Sequence, residues 1–405
     1  MGNYADIIKK CEKEWACPDL MESVNKTGGK KIPFSSPSLN WATYGGVPRA
    51  ALTEFYGQPG GGKTTSAIDL CKNALDIFNA EFTEEVMKLQ ELVAKGKKDK
   101  KAELQDLNDR GPKKVLYIDL EHSFDKVWAS TLGITNKAID IMQPPDIPAE
   151  SILQKVKELV SSGEVGLIVL DSIPSLVTKA ELDKKLDDEK QAFASSLAGR
   201  MTLFCREITQ LLMRYDCTMI FINQIRTNMD SPYVDNTPGG NAIKFYCSLR
   251  LAFKLGCPVD FLGNELAQKA ENPAGYKITV NVKKQKSAPF DRKLGEYYLM
   301  SQSGLRVDFE FANLAITRYE IIRKNAGWYT IYDPETREPM EVNDTIVKVN
   351  GLAKVYDYLQ ANPDYYEKLC KFIVEDINHN GITLAEDSDE SITAGAIPEY
   401  KVDEQ

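Results

Sequence analysis

The sequence predicts an α/β fold: a mostly parallel, twisted sheet with helices on both faces. Three observations predict it. Apolar runs ending in a charged or amide residue recur along the chain, as LTEFYG, KVLYIDLEH, LIVLDSIPSL and TMIFINQIR. Amphipathic stretches such as KTTSAIDLCKNALDIF and SILQKVKELVSSG alternate with them. Strands that are apolar throughout and alternate with helices belong to a parallel sheet buried on both faces. Finally, Gly57-Gln58-Pro59-Gly60-Gly61-Gly62-Lys63-Thr64 fits GxxxxGK[ST] between the first run and the first helix, the context of a phosphate-binding loop.

Taken in order, residues 1–30 read as a charged helical segment with a Gly/Lys-rich connector. Residues 31–56 carry short β-like runs around Gly45-Gly46 and end in the strand LTEFYG. A helix is expected from Lys63 to about Asn79. Residues 80–111 are highly charged, with Val86, Leu89, Leu92 and Val93 at helical spacing and a break at Gly96. They predict a helical hairpin projecting from the surface as an insertion in the core. Three further strands follow, separated by SILQKVKELVSSG and a mostly helical 180–215. A Gly/Pro/Asp-rich loop, the strands SLRLAFKLG and YKITVNVKKQK and a pair near EYYLM complete a core over 31–309. Residues 310–384 read as a small α+β C-terminal domain. The stretch 385–405 is acidic and apolar-poor, the composition of a disordered tail.

The 405 residues, 43% hydrophobic and 27% charged, exclude a wholly disordered chain. The length suggests two to three domains at about 150 residues each. With 50 basic and 59 acidic residues the net charge is −9, which disfavours a uniformly basic nucleic-acid binder but not a local basic site. No apolar run reaches the ~18 residues of a membrane span, and the start lacks the apolar core of a secretion signal. Eight cysteines without a CxxC pair read as reduced thiols of a cytoplasmic protein. His122 and His379 are the only histidines, which disfavours zinc chemistry.

The glycines of the loop let backbone N–H groups curl around phosphate oxygens, and the helix start adds a favourable dipole. Lys63 is placed to reach β- and γ-phosphates, and the Thr64 hydroxyl to ligand Mg2+. Asp171, ending LIVLD, suits a Mg2+-holding acid at the carboxyl end of a buried strand. Asp119 and Glu121 end another strand, and Glu121 is the better candidate for polarising the attacking water. Asn223 and Gln224 end a fourth, where a neutral amide either senses the γ-phosphate or is structural. A solvated or capping carboxylate is the plain alternative for each acid.

These motifs arrive in order with PGGNAIKFYCSLRL, and together they resemble the RecA family of homologous recombinases. IPFSSPSLNWATYGGVPRAALTEFYG resembles that family's lead-in, QKSAPF its late strand and turn, and IIRKNAGWY its C-terminal signature; the likeness is collinear over about 31–375. The resemblance implies a P-loop ATPase core of RecA type, with residues 1–30 as an N-terminal assembly segment and residues 310–384 as the small C-terminal domain. It implies Glu121 as the catalytic glutamate, Gln224 as γ-phosphate sensor, Thr65 within the nucleotide loop, and Asp125 and Trp128 at the adenine. Trp128 also reads as a plain core tryptophan. Lys284 and Lys286 match lysines that reach a neighbouring subunit's ATP; exposed strand lysines are the bland reading. Two loops would bind DNA, one near TKAELDKKLDDEKQAFASSLAGR and one at IRTNMDSPYVDNTPGGN. Arg200, Arg226, Lys244 and Arg250 are candidates for phosphate contacts, Met229 for a wedge between bases, and Gly239, Gly240 and Asn241 for the second loop.

The implied activity is an ATP- and Mg2+-dependent, DNA-dependent ATPase. It would form a helical head-to-tail filament on single-stranded DNA and exchange strands with homologous duplex DNA, with a mediator protein docking on the insertion or tail. The alternatives are a ring-forming helicase of the same superfamily and a non-catalytic ATP-gated loader. Three departures stand out: the loop interior Gln-Pro-Gly-Gly, the unmatched N-terminal segment, and the 80–111 insertion. The acidic tail suggests a polyanion that competes with DNA for the basic groove; a solubilising tail is the alternative.

Overall fold

The computed structural model describes residues 29–135, 138–183, 193–225, 237–288 and 291–379. The N-terminal segment up to residue 28, residues 184–192 of the first loop, residues 226–236 of the second with Arg226 and Met229, and the acidic tail therefore lie outside the described residues.

The strands are β1 (Lys31–Ile32), β2 (Val47–Pro48), β3 (Leu52–Gly57), β4 (Lys114–Asp119), β5 (Asp140–Met142), β6 (Val165–Asp171), β7 (Thr218–Gln224), β8 (Leu249–Val259), β9 (Gly275–Gln285), β10 (Leu294–Met300) and β11 (Gly304–Leu305). Further on come β12 (Ile322–Asn325), β13 (Trp328–Ile331), β14 (Glu341–Val342), β15 (Thr345–Ile346) and β16 (Lys348–Asn350). The helices are α1 (Pro37–Thr43), α2 (Lys63–Ala94), α3 (Lys100–Arg110), α4 (Lys126–Thr131), α5 (Ala149–Ser161), α6 (Lys179–Leu182), α7 (Phe193–Tyr215), α8 (Asn241–Tyr246), α9 (Val307–Thr317), α10 (Leu352–Ala361) and α11 (Pro363–His379).

Nine strands form the main sheet in the order β11-β10-β9-β8-β3-β7-β6-β4-β5. From β8 to β5 all neighbours are parallel, while β9, β10 and β11 add an antiparallel flank. This confirms the mostly parallel core. Alternation along each strand feeds two layers. Phe55, Val115, Tyr117, Leu167, Val169 and Ile220 pack with the first half of α2 on one face. Leu116, Ile118, Ile168, Leu170 and Phe221 pack with α5 and α7 on the other. Parallel strands bring their carboxyl ends to one edge, where such sheets bind ligands. There Gly57 is the register partner of Gln224, and Asp119 that of Asp171.

The charged insertion is helical, with one difference from the expectation. Its first arm is the loop-proximal helix itself, which runs unbroken for 32 residues to Ala94, about 48 Å at 1.5 Å per residue. The helix does not stop at Asn79 because that stretch has no Gly or Pro; Gly96, at φ +87°, turns the chain. Leu89 and Leu107 are buried where α2 and α3 pack together. At the base, Arg49 pairs with Glu81 at 2.7 Å and Asp216 at 2.6 Å.

The third buried cluster joins α9, α10, α11 and β12-β13 to Val259, Tyr298 and Met300 of the main sheet. The boundary expected at residue 310 falls inside α9. Phe309 meets Tyr298 edge-on and lies tilted against Tyr356, so the C-terminal unit shares a core with the antiparallel flank.

Candidate active site

The loop after β3 turns on Gly57, Gly60 and Gly62, with φ of +154°, +73° and +84°. Two of these positions also require the absence of a side chain. A Cβ on Gly57 would lie 2.1 Å from the Phe253 carbonyl oxygen, and one on Gly62 2.3 Å from Tyr297 Oη. Tyr297 supports the loop from below, donating to the Gly62 carbonyl at 3.2 Å and lying 2.9 Å from Ser66 Oγ. Gly62 caps α2 without a side chain, so the first-turn N–H groups remain available to an anion. Lys63 Nζ donates to the carbonyls of Gly57 at 3.1 Å and Gln58 at 2.8 Å. Burial lowers its pKa, against the pull of Asp171 and Glu121.

Asp171, buried at the tip of β6, accepts from Tyr117 Oη at 2.6 Å and Thr64 Oγ1 at 3.0 Å, both on Oδ2. Burial pushes its carboxyl up to about 6; the two hydroxyl bonds oppose this, and the Glu121 and Asp119 charges add to it. A cation beside it would relieve that penalty. A hydroxyl and a carboxylate in direct contact are a hard-oxygen donor set that fits Mg2+. Among the described residues no cluster of three or more His, Cys, Asp or Glu side chains forms a metal cage, and Mg2+ ordinarily uses one or two carboxylates plus substrate phosphates.

Asp119 and Glu121 have separate work. Asp119, 1% exposed, accepts from the backbone N of Glu121 at 3.2 Å, that of Phe124 at 2.9 Å and Gln143 Nε2 at 2.8 Å. Burial acts to raise its pKa, but these bonds prevail and hold it below the ordinary range. Asp119 thus shapes the turn, and Glu121 stands exposed beyond it. Glu121 Oε1 accepts from Ser172 Oγ and, at 3.2 Å, from Gln224 Nε2. Of the two amides ending β7, Asn223 is buried and its groups are engaged by Glu54, Pro238 and the Gln224 backbone. Gln224 is the one whose side chain reaches the acid.

Lys63, Thr64, Asp171, Glu121 and Gln224 are therefore brought together. Asp125 caps α4, accepting from the N of Val127 at 2.8 Å and of Trp128 at 3.1 Å. The half-buried Trp128 donates its indole N–H to Thr65 Oγ1 at 3.2 Å, which sets its ring beside the start of α2. Lys284 lies elsewhere, donating to the carbonyls of Lys244 at 2.6 Å and Phe245 at 2.8 Å; Lys286 donates to Phe245 at 3.1 Å. Both rest on the C-terminal end of α8. Arg200 is exposed and paired with Glu150 at 3.1 Å. Gly239 and Gly240, at φ +89° and +82°, lead into Asn241 and Lys244 on α8.

Arg250 is a correction. Its guanidinium is buried, pairs with the fully buried Glu54 at 2.6 Å and lies over the Tyr56 ring at 4.6 Å. A group so committed is not presented to a phosphate backbone. Sequence reasoning also missed Tyr117, Ser172, Tyr297 and Glu54. Tyr117 and Ser172 adjoin the motifs and were readable as neighbours of Glu121 and Asp171, whereas Tyr297 comes from a distant strand with no local signal.

Residues 101–306, just over half of the chain, match the family model of the RecA N-terminal domain. The chain is 28% identical over 376 residues to Protein RecA of Thermus aquaticus, covering 91% of this chain and 93% of that protein. It is 29% identical over 389 residues to Protein RecA of Fusobacterium nucleatum, covering 92% and 87%. A crystal structure of the RadB recombinase superposes with a TM-score of 0.43 at 17% identity, covering 68% of this chain and 98% of that one. Among the described residues no helix is long and apolar enough to cross a membrane.

Proposed function

The chain belongs to the RecA family, and from that membership and the geometry of its strand ends we propose a DNA-dependent ATPase. It assembles on single-stranded DNA and promotes pairing and exchange with homologous duplex. The observation that carries this reading is the hydrogen bond from Gln224 Nε2 to Glu121 Oε1. It joins the acid best placed to polarise water to the last residue before the candidate DNA loop.

Backbone N–H groups and Lys63 bind the phosphates of ATP. Thr64 and Asp171 would hold Mg2+, which would supply positive charge against those phosphates. Glu121 orients the attacking water and takes its proton. The amide hydrogens of Gln224 are donated either to Glu121 or to the terminal phosphate, so the loop that follows is biased by the nucleotide. Lys284 and Lys286 are proposed to serve a neighbour's nucleotide across a head-to-tail interface, which extends into a helical filament when it does not close. DNA contacts fall mainly on phosphates, so affinity declines steeply with salt.

The test is phosphate release with and without single-stranded DNA, paired with electron microscopy in an ATP analogue. Stimulated turnover and open filaments are expected. Closed rings would move the assignment to a helicase, and absent turnover to a non-catalytic loader.

A further inference from the structure

One buried amide holds both ends of the segment that follows β7. Asn223 Oδ1 accepts from the backbone N of Gln224 at 2.9 Å, at the start of the segment. Asn223 Nδ2 donates to the carbonyl oxygen of Pro238 at 3.0 Å, at its end. The second Nδ2 hydrogen goes to Glu54 Oε1 at 2.9 Å. Glu54 is itself fixed, because its other oxygen accepts from Arg250 Nε at 2.6 Å. The register sets this up: Glu54 pairs with Arg250 across β3–β8, and Tyr56 with Asn223 across β3–β7.

Beyond Pro238 the backbone is pressed onto the core. A Cβ on Gly239 would lie 2.5 Å from Ile243 Cδ1, and one on Gly240 2.9 Å from Ala198 Cβ. Only a side chain with two N–H donors and a carbonyl acceptor makes all three bonds from this position. Asp keeps the acceptor and loses both donors.

We propose that Asn223 is a positioning residue that clamps Gln224 to the Pro238–Gly240 end of the loop, so that the nucleotide state reaches the DNA-binding segment through it. The proposal rests on reading Gln224 as the phosphate sensor. Glu54 and Arg250 supply a fixed point on the strand that leads into the phosphate loop. A shift at Gln224 is then referred directly to Pro238.

The experiment compares wild type with Asn223→Asp and with the exchange variant Glu54→Gln/Asn223→Asp. In the exchange variant the new amide at position 54 donates to the new carboxylate at position 223, keeping the interstrand bond and the total charge. The donor to Pro238 is still missing. Anisotropy gives the affinity for a labelled oligo-dT with a nonhydrolysable ATP analogue and Mg2+, and with no nucleotide; the readout is the ratio of the two. The exchange variant gives up the charge opposite Arg250 and turns a carboxylate oxygen toward the Pro238 carbonyl, so it is expected to melt below wild type. The ratio is read at a temperature where wild type and both variants are folded, and there the exchange variant should bind the analogue without DNA within about twofold. Its affinity ratio should fall about tenfold, the weight of one buried hydrogen bond. A ratio unchanged from a large wild-type value rejects the clamp alone. A wild-type ratio near one rejects the sensor reading and the clamp with it. Hydrogen exchange on wild type adds an arm that needs no variant. The analogue should change protection at Gly239–Tyr246, and unchanged protection there overturns the clamp.

Discussion

Ser172→Ala isolates how Glu121 is held. Ser172 Oγ and Gln224 Nε2 donate to the same oxygen of Glu121, and the Ser172 hydroxyl otherwise lies 3.4 Å from Ser175 Oγ. A hydrogen bond to a charged group contributes roughly 1.5–3 kcal/mol. Glu121 is exposed, so water replaces part of the lost bond and the lower end applies. About 1.5 kcal/mol off transition-state stabilisation is a factor of about 10 in rate. The expected result is a kcat about tenfold lower in steady-state phosphate release at saturating single-stranded DNA, with KM for ATP unchanged. The stability cost is small, because alanine fills nearly the same space. A kcat within twofold of wild type would show that Ser172 does not hold Glu121 for catalysis. So would an unchanged kcat with a raised KM, which would place Ser172 in binding.

Glu121→Gln should keep ATP and DNA binding while stalling hydrolysis in a single-turnover assay; fast turnover would hand the role to another acid. Lys286→Ala should depress hydrolysis at a wild-type neighbour in mixed assemblies, and an effect confined to the mutant's own nucleotide would reject the trans contact. Glu310 is buried and accepts from Ser36 Oγ and the Ser38 N–H, with Oε1 unpartnered among the described residues. Burial raises its pKa well above the ordinary range, against the bonds from Ser36 and Ser38. Its stabilisation is therefore full below the unfolded value of about 4.3 and lost as pH rises toward the folded value, by at most about 1.4 kcal/mol per pH unit. Glu310→Gln should flatten that slope in urea titrations between pH 5 and 7, and parallel slopes would contradict it.

The sheet was legible because its strands are apolar on both faces and end in chemistry-bearing residues. The phosphate loop was legible because its glycines and Lys63-Thr64 sit at fixed spacing. Which member of each adjacent pair acts was harder to read. The proposed choice of Glu121 over Asp119, and of Gln224 over Asn223, rests on which side chain the turn buries, and that depends on partners outside the motif such as Gln143 and Pro238. Arg250 misled because a lone cation in a strand reads as surface. Its partner Glu54 lies 196 residues away, and nothing local says that β3 and β8 are neighbours. The length of α2 escaped notice because its far half is charged and carries only a thin apolar stripe, so the helix outlasts the pattern that announced it.

In the proposed function the terminal phosphate, met by Gln224, controls the grip on nucleic acid. The most direct test of that control is the affinity of the wild-type chain for a labelled single-stranded oligonucleotide with an uncleavable ATP analogue and Mg2+, with ADP, and with no nucleotide. Tight binding with the analogue and weak binding in the other two conditions is the predicted result; equal affinity in all three would contradict it.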